Sequence, residues 1–123
     1  MPAPESVISF IRTSFRSLWA LELLLHLKRG SDRVWSAEEL VHALHGSRLI
    51  VEQSLEGLMR AGLVVIDRDG CSRFQPATGA AARFVAECEE LYRRKPDTVR
   101  RIIVSGTHPG LANFADAFRL WKD

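Results

Sequence analysis

The chain has 123 residues, within the usual range for one domain, and 46% of them are hydrophobic while 26% are charged. Its formal net charge of +2, from 17 basic and 15 acidic residues, excludes a histone-like polycation but permits local charged patches. Two cysteines are too few for a disulfide framework, which favours a reducing compartment. We therefore expect a single domain, residues 1–123, in the cytoplasm.

The most apolar stretch, LWALELLLHL at residues 18–27, is too short to cross a membrane. A spanning helix needs about 20 apolar residues, and this stretch also contains Glu22 and His26. The N-terminus does not resemble a signal peptide, because Glu5 and Arg12 interrupt its apolar residues. We expect no membrane partner.

Two helices are predicted in the first thirty residues of the chain. Pro2 and Pro4 precede a helix that begins near Glu5, since proline is tolerated in a first helical turn. The pattern then loosens, and Ser14 is a candidate N-cap for a second helix. That helix is apolar around most of its circumference, which predicts burial on more than one side, and Gly30 suits its C-terminal end.

A short extended piece at Val34 and Trp35 precedes the third predicted helix. The sequence SAEE, which begins at Ser36, is a capping box. In this motif the Ser36 hydroxyl and the Glu39 carboxylate each accept a hydrogen bond from the other residue's backbone amide. The helix that follows is predicted to end at Gly46.

The fourth predicted helix begins after Ser47, a candidate N-cap, and runs to Ala61, with Gly62 as its stop. Three apolar side chains share one of its faces at helical spacing: Val51, Leu55 and Leu58. This face is expected to pack against the core.

A β-hairpin is predicted immediately after this helix. Residues 63–66 form a β-branched strand, the dipeptide Asp69-Gly70 is a strong turn signal, and residues 72–75 form the returning strand. Pro76 ends the pairing, because proline has no backbone N–H to donate.

Three further helices are predicted in the rest of the chain. Pro96 ends the first of them and suits the start of the second. A loop at residues 107–110 precedes the third, which has a regular apolar stripe along residues 111–121. The first is marked by Phe84, Cys88, Leu91 and Tyr92. The predicted fold class is therefore mainly α with a small β-hairpin.

The order of elements from residue 14 to residue 76 is helix, short strand, helix, helix and hairpin. Together with Val51, Leu55 and Leu58 followed by AGLV, this order resembles the winged helix-turn-helix regulators of bacteria, in particular the MarR- and PadR-like group. The resemblance covers about half of the chain. It implies a winged-helix core at 14–76, an N-terminal helical extension at 1–13, and C-terminal helices at 77–123 that hold a homodimer.

In this family the second helix of the motif enters the major groove of DNA, and the wing contacts the backbone or minor groove. The resemblance therefore implies a transcription regulator that binds double-stranded DNA and needs no cofactor. Gln53 is suited to reading adenine and Glu52 to accepting a hydrogen bond from cytosine. The implied DNA-binding residues are Ser47, Arg48, Leu49, Ile50, Glu52, Gln53, Arg68 and Arg73.

The charges of this surface leave other functions open, because DNA affinity comes largely from neutralising phosphates. On the exposed helix face and the wing, four arginines stand against four carboxylates: Arg48, Arg60, Arg68 and Arg73 against Glu52, Glu56, Asp67 and Asp69. Leu49 and Ile50 either contact thymine methyl groups, lie under the protein's own N- or C-terminal helix, or bind a protein partner in place of DNA.

A second basic feature is the run RRKPDTVRR at residues 93–101. It is interpreted either as a solvated helix junction or as a patch that faces phosphates. Its basic residues are Arg93, Arg94, Lys95, Arg100 and Arg101.

No pattern in the sequence indicates an enzyme or a metal site. His42 and His45 have the spacing of helical metal ligands, but no third ligand is close to them in the sequence. Cys71 is interpreted as an inert thiol and Cys88 as a core side chain. No nucleophile–base pair and no phosphate-binding loop is recognisable, so we expect neither catalysis nor a metal.

Overall fold

The computed structural model describes residues 5–107, which contain six helices and one β-hairpin. The helices are α1 (Glu5–Ser14), α2 (Leu18–Arg29), α3 (Ala37–Leu44), α4 (Arg48–Arg60), α5 (Gly79–Arg94) and α6 (Pro96–Thr107). The strands are β1 (Val64–Ile66) and β2 (Ser72–Phe74), which pair antiparallel. The predicted mainly helical chain with a small hairpin is confirmed. The helix predicted at 111–121 lies outside the described residues.

The central element is α2, which is buried on several sides as its sequence predicts. Four elements pack on it, namely α3, α4, α6 and β2. Although α2 is strongly apolar, neither it nor any other helix within residues 5–107 has the length and hydropathy of a membrane span. Its buried side chains are Ala20, Leu21, Leu23, Leu24, Leu25 and Leu27.

The helices around α2 form two groups, each packed within itself. In one group, α1 packs against α5 and α6, and the ring of Phe10 stacks on Phe84 with 5.2 Å between centroids. In the other group, α3 packs on α4 and α4 packs on β1. Lys28 at the end of α2 donates to the Glu89 carboxylate of α5 at 2.7 Å, which links α2 to the first group.

The prediction that Ser14 caps α2 is wrong. The N-cap is Ser17, whose hydroxyl accepts a hydrogen bond from the Ala20 amide at 3.2 Å. The side chain of Phe15 is buried in the core, and its amide still donates to the Ile11 carbonyl at 3.1 Å. Because this burial holds the last turn of α1 in place, the chain leaves the helix only after Ser14, and α2 begins later than predicted.

The predicted capping box at the start of α3 is confirmed. The Ser36 amide donates to the Glu39 carboxylate at 2.9 Å, and the Glu39 amide donates to the Ser36 hydroxyl at 3.1 Å. A hydrogen bond from Arg33 and the bond from Ser36 hold the pKa of Glu39 below its ordinary value. The helix ends at Leu44, and His45 takes the left-handed conformation at a φ of 55°, one residue before the predicted end.

The predicted hairpin is confirmed, with a turn that the Asp67 side chain organises. Its carboxylate accepts hydrogen bonds from the amides of Asp69 at 2.9 Å and Cys71 at 3.0 Å. Gly70 has a φ of +82°, a conformation that side chains rarely adopt, which explains the Asp69-Gly70 signal.

The extended piece at Trp35 ties the hairpin to the end of α2. Trp35 and Ser72 exchange two backbone hydrogen bonds, each of 2.8 Å. The Trp35 indole donates to the Gly30 carbonyl at 3.0 Å, and the ring of His26 meets it edge-on with 4.6 Å between centroids. The Arg33 guanidinium lies over the indole, 4.0 Å from its centroid. The indole is therefore fixed from several directions.

We expect Gly30→Ala to destabilise the protein by about 1–3 kcal/mol, because a side chain there would overpack this cluster. A Cβ atom at Gly30 would lie 2.6 Å from Cζ2 of Trp35, whose ring cannot move without losing its contacts. Urea denaturation measures the free energy of unfolding, and Ser31→Ala, at an exposed neighbour, is the control. Equal stability of Gly30→Ala and the wild type would show that the indole is free to move.

Candidate functional site

The packing of α4 determines which of its residues face solvent. Four side chains on its inner side are buried: Val51, Ser54, Leu55 and Leu58. After the helix, Gly62 has a φ of +77° and turns the chain into β1, as the sequence predicts. The opposite side of the helix, called here the outer face of α4, is exposed and consists of Leu49, Gln53, Glu56 and Arg60.

The N-terminal end of α4 is capped, and its arginine is held by two carboxylates. The Ser47 hydroxyl accepts a hydrogen bond from the Ile50 amide at 3.1 Å. Arg48 lies 3.1 Å from the carboxylate of Glu52 and 3.8 Å from that of Glu38 on α3. Arg48 is 59% exposed, and ion pairs at such positions contribute roughly 0–1 kcal/mol. Its guanidinium can therefore exchange these carboxylates for another anion at small cost.

The sequence predicts equal numbers of arginines and carboxylates on the outer face, and a second ion pair in the structure is consistent with this. Arg60 donates to Glu56 one helical turn before it. Each arginine of α4 is thus matched by a carboxylate on the same helix, and the surface offers little net charge to a polyanion.

Leu49 is 63% exposed, the highest exposure given for a large hydrophobic side chain of residues 5–107. Helix α1 does not cover it, because Leu49 keeps this exposure with α1 in place. The alternative that the helix predicted at 111–121 covers Leu49 concerns residues outside the described range. Ile50 is half-buried. Of the two predicted contact residues, Leu49 is therefore the accessible one.

The two predicted wing arginines are on the hairpin and exposed. Arg73 is in β2, opposite Val65, and Arg68 is in the turn. Neither forms an ion pair with a residue in the 5–107 range. The Asp67 carboxylate, which formally balances one of them, is occupied by backbone amides of the turn. The guanidinium groups of Arg68 and Arg73 are therefore available to a ligand, while the carboxylates of Asp67 and Asp69 keep the formal charge of the hairpin balanced.

A cleft of about 750 Å³ separates α4 from the hairpin turn. Its floor includes the apolar side chains of Leu55, Met59 and Ile66. Four carboxylates line it against two guanidinium groups, so it does not suit a phosphate backbone. The carboxylates are those of Glu38, Glu52, Glu56 and Asp69, and the guanidinium groups are those of Arg48 and Arg60.

A second groove, of about 510 Å³, lies on the opposite flank of the outer face and is called here the α1–α4 groove. It runs between the α1–α2 turn and α4. No local sequence pattern indicates this groove, because its two sides come from segments about thirty or more residues apart. Its lining includes Arg16, Ser17, Trp19, Ile50, Ser54 and Gly57.

The basic run at residues 93–101 lies at the junction of α5 and α6, and part of its charge is neutralised. Arg93 donates to Glu90 at 3.2 Å, and Arg100 donates to Asp97 at 3.0 Å. Arg101 donates to a backbone carbonyl at 3.4 Å. Arg94 and Lys95 are exposed and have no ion pair within residues 5–107. Both interpretations of this run, a solvated junction and a phosphate patch, stay predictions.

The histidines and cysteines do not assemble into a metal site within the described part of the chain. No group of three or more potential ligands occurs among residues 5–107. Cys88 is buried, and burial, together with the charge of Glu89, raises its pKa to about 12. Cys71 is half-buried beside the hairpin turn.

We expect Cys71 to react slowly with iodoacetamide at neutral pH. Its partial burial and then the charges of Asp67 and Asp69 raise its pKa, so the reactive thiolate is scarce. Asp69→Asn should lower this pKa and accelerate alkylation, whereas Glu87→Gln, at an exposed carboxylate on α5, should not. Mass spectrometry measures the alkylation rate as a function of pH. A midpoint at or below that of an unstructured thiol would contradict the raised pKa of Cys71.

Comparisons with protein-family models, curated proteins and solved structures find no match to this chain.

Proposed function

We propose that the chain is a winged helix-turn-helix regulator that binds duplex DNA, with α4 as the motif helix and the hairpin as the wing. The order α2, Trp35 bridge, α3, α4 and hairpin supports this fold assignment. One observation carries the functional proposal. The outer face of α4 is exposed, and the hairpin that packs on α4 carries Arg68 and Arg73, which are exposed and have no ion-pair partner within residues 5–107.

The energetics of the α4 surface are compatible with DNA binding. The ion pairs of Arg48 are exposed and weak, so replacing the carboxylates with phosphates costs little, while counterion release from DNA favours the complex. On the outer face, the Gln53 amide matches the donor and acceptor of adenine, and Leu49 matches a thymine methyl group. Phosphate contacts would position the helix, and these two side chains would read sequence.

A homodimer is part of this proposal. Two copies related by a two-fold axis would place their α4 helices in successive major grooves, which doubles the contacts of a small domain. The C-terminal helices that the resemblance assigns to this role include residues outside the described range.

We expect the double variant Arg68→Ala, Arg73→Ala to bind random duplex DNA roughly tenfold more weakly at low salt. The slope of log affinity against log salt should fall by about 2, since each phosphate contact contributes about 0.9. Fluorescence anisotropy measures both quantities. The matched control is Arg12→Ala with Arg83→Ala, two exposed arginines of α1 and α5. A wild-type protein that binds no duplex even at low salt would overturn the proposal.

A second candidate function is the binding of a protein partner through the outer face of α4. The observation that favours it is the 63% exposure of Leu49 on a face whose Arg60 is already paired with Glu56. An exposed aliphatic side chain surrounded by neutralised polar groups is typical of a protein interface. Binding of a protein through this face does not require a positive electrostatic potential at α4.

Two experiments together distinguish the two functions: partner binding by the Leu49→Asp variant, and selection of bound sequences from random duplex DNA. If α4 binds a protein, the substitution should abolish retention of one reproducibly purified partner, Glu87→Gln should not, and random DNA should yield no selected sequence. If α4 reads DNA, the wild type should select a sequence that Gln53→Ala alters. Thermal unfolding of Leu49→Asp should match the wild type within about 0.5 kcal/mol, because the side chain is exposed.

A further inference from the structure

The α1–α4 groove contains an arginine that no other described residue neutralises. Arg16, in the α1–α2 turn, is exposed and forms no ion pair within residues 5–107. The other charged groups that line the groove are Arg60 and Glu56, which pair with each other. The groove therefore has a net positive lining, in contrast to the cleft on the hairpin side of α4.

The first turn of α2 opens on the same groove and adds hydrogen-bond donors. The amides of Leu18 and Trp19 have no acceptor within residues 5–107, as expected for the first turn of a helix. The Ser17 hydroxyl accepts from Ala20, which leaves its own proton free to donate. This end of a twelve-residue helix also carries the positive end of the helix dipole.

A serine hydroxyl without a hydrogen-bond partner among the described residues lies on the α4 side of the groove. Ser54 is only 9% exposed, lines the groove, and forms no side-chain hydrogen bond within residues 5–107. Serine in a helix commonly donates to the carbonyl four residues earlier, but Ser54 does not donate to Ile50. The oxygen of this hydroxyl is not sealed from solvent, so the hydroxyl is free to donate a hydrogen bond to an oxyanion in the groove.

One helical turn after Ser54, the backbone of α4 is accessible at Gly57. Packing does not explain this glycine, because there is room for a larger side chain. Gly57 is in the interior of α4, where glycine is unfavourable relative to alanine. Apart from its two chain neighbours and the backbone of its own helix, a Cβ atom at this position would meet none of the described residues within 4 Å. Glycine at such a position permits close approach of a ligand to the helix backbone.

We propose that the α1–α4 groove binds a phosphoryl oxyanion between Arg16, the first turn of α2 and the hydroxyl of Ser54. The phosphate belongs either to the DNA backbone, in which case the site rests on the proposed function and extends its footprint, or to a phosphorylated small molecule. The space beside Gly57 accommodates the group that carries the phosphate. The carboxylate of Glu56 is held by Arg60 and leaves the oxyanion facing donors.

Titration with inorganic phosphate, followed by amide chemical shifts, tests the site directly. Saturable shifts are expected at Leu18, Trp19 and Ser54. Arg16→Ala and Ser54→Ala should each weaken phosphate binding roughly threefold to tenfold, which corresponds to about 0.7–1.4 kcal/mol. Arg12→Ala, an exposed arginine of α1 that does not line the groove, should leave binding unchanged. The absence of saturable shifts at these amides would overturn the proposal.

Gly57→Ala provides a test that loss of folding cannot mimic. Alanine favours the helix, so the midpoint of thermal unfolding should rise by roughly 3–6 °C. The added methyl group narrows the groove, so phosphate binding should weaken at the same time. A variant that is more stable and binds phosphate as well as the wild type would contradict the role of this open backbone.

The same amides distinguish the two sources of phosphate. If a short duplex shifts them and Arg16→Ala lowers the salt slope of DNA binding by about 1, the ligand is the DNA backbone. If inorganic phosphate shifts them but duplex DNA does not, the ligand is a phosphorylated small molecule. In that case the groove site stands while DNA contact at this flank fails, so the two proposals are tested separately.

Discussion

The packing of α4 on α2 is the constraint on which the surface of this protein depends. Val51, Leu55 and Leu58 are buried on one side of α4, and α2 is the element against which α4 packs most extensively. This burial fixes the rotation of α4 about its own axis, since turning the helix would expose these side chains to water. The side that carries Leu49 and Gln53 is exposed as a consequence, whatever binds there.

The two flanks of that exposed side differ in charge, and the difference comes from the neighbours of α4. On the hairpin flank, carboxylates from α3 and the turn join those of α4, and the cleft is acidic. On the other flank, the α1–α2 turn contributes Arg16 and the first turn of α2 contributes backbone donors. The electrostatic field of these groups therefore favours an anion at the α1–α4 groove over one in the cleft between α4 and the hairpin.

Local signals in the sequence predicted most of the fold. The capping box at Ser36 and the hairpin turn at Gly70 depend on contacts between residues a few positions apart, so their sequence patterns are sufficient. The start of α2 was predicted at Ser14 and lies after Ser17, because the burial of Phe15 is a tertiary interaction that local propensity does not contain. Helical periodicity placed Leu49 on the outer side of α4, but it left open whether another helix of the chain covers that side.

By itself, the sequence determined the helices, the hairpin and the inner side of α4, because these follow from the spacing of apolar residues, caps and glycines. It also determined that α4 carries as many carboxylates as arginines between residues 48 and 60. Only the tertiary structure decided that Glu38 of α3 adds a second carboxylate to Arg48, and that Arg16 and Ser54 line one groove. Those juxtapositions arise from the packing of distant segments on α2, which no local pattern encodes.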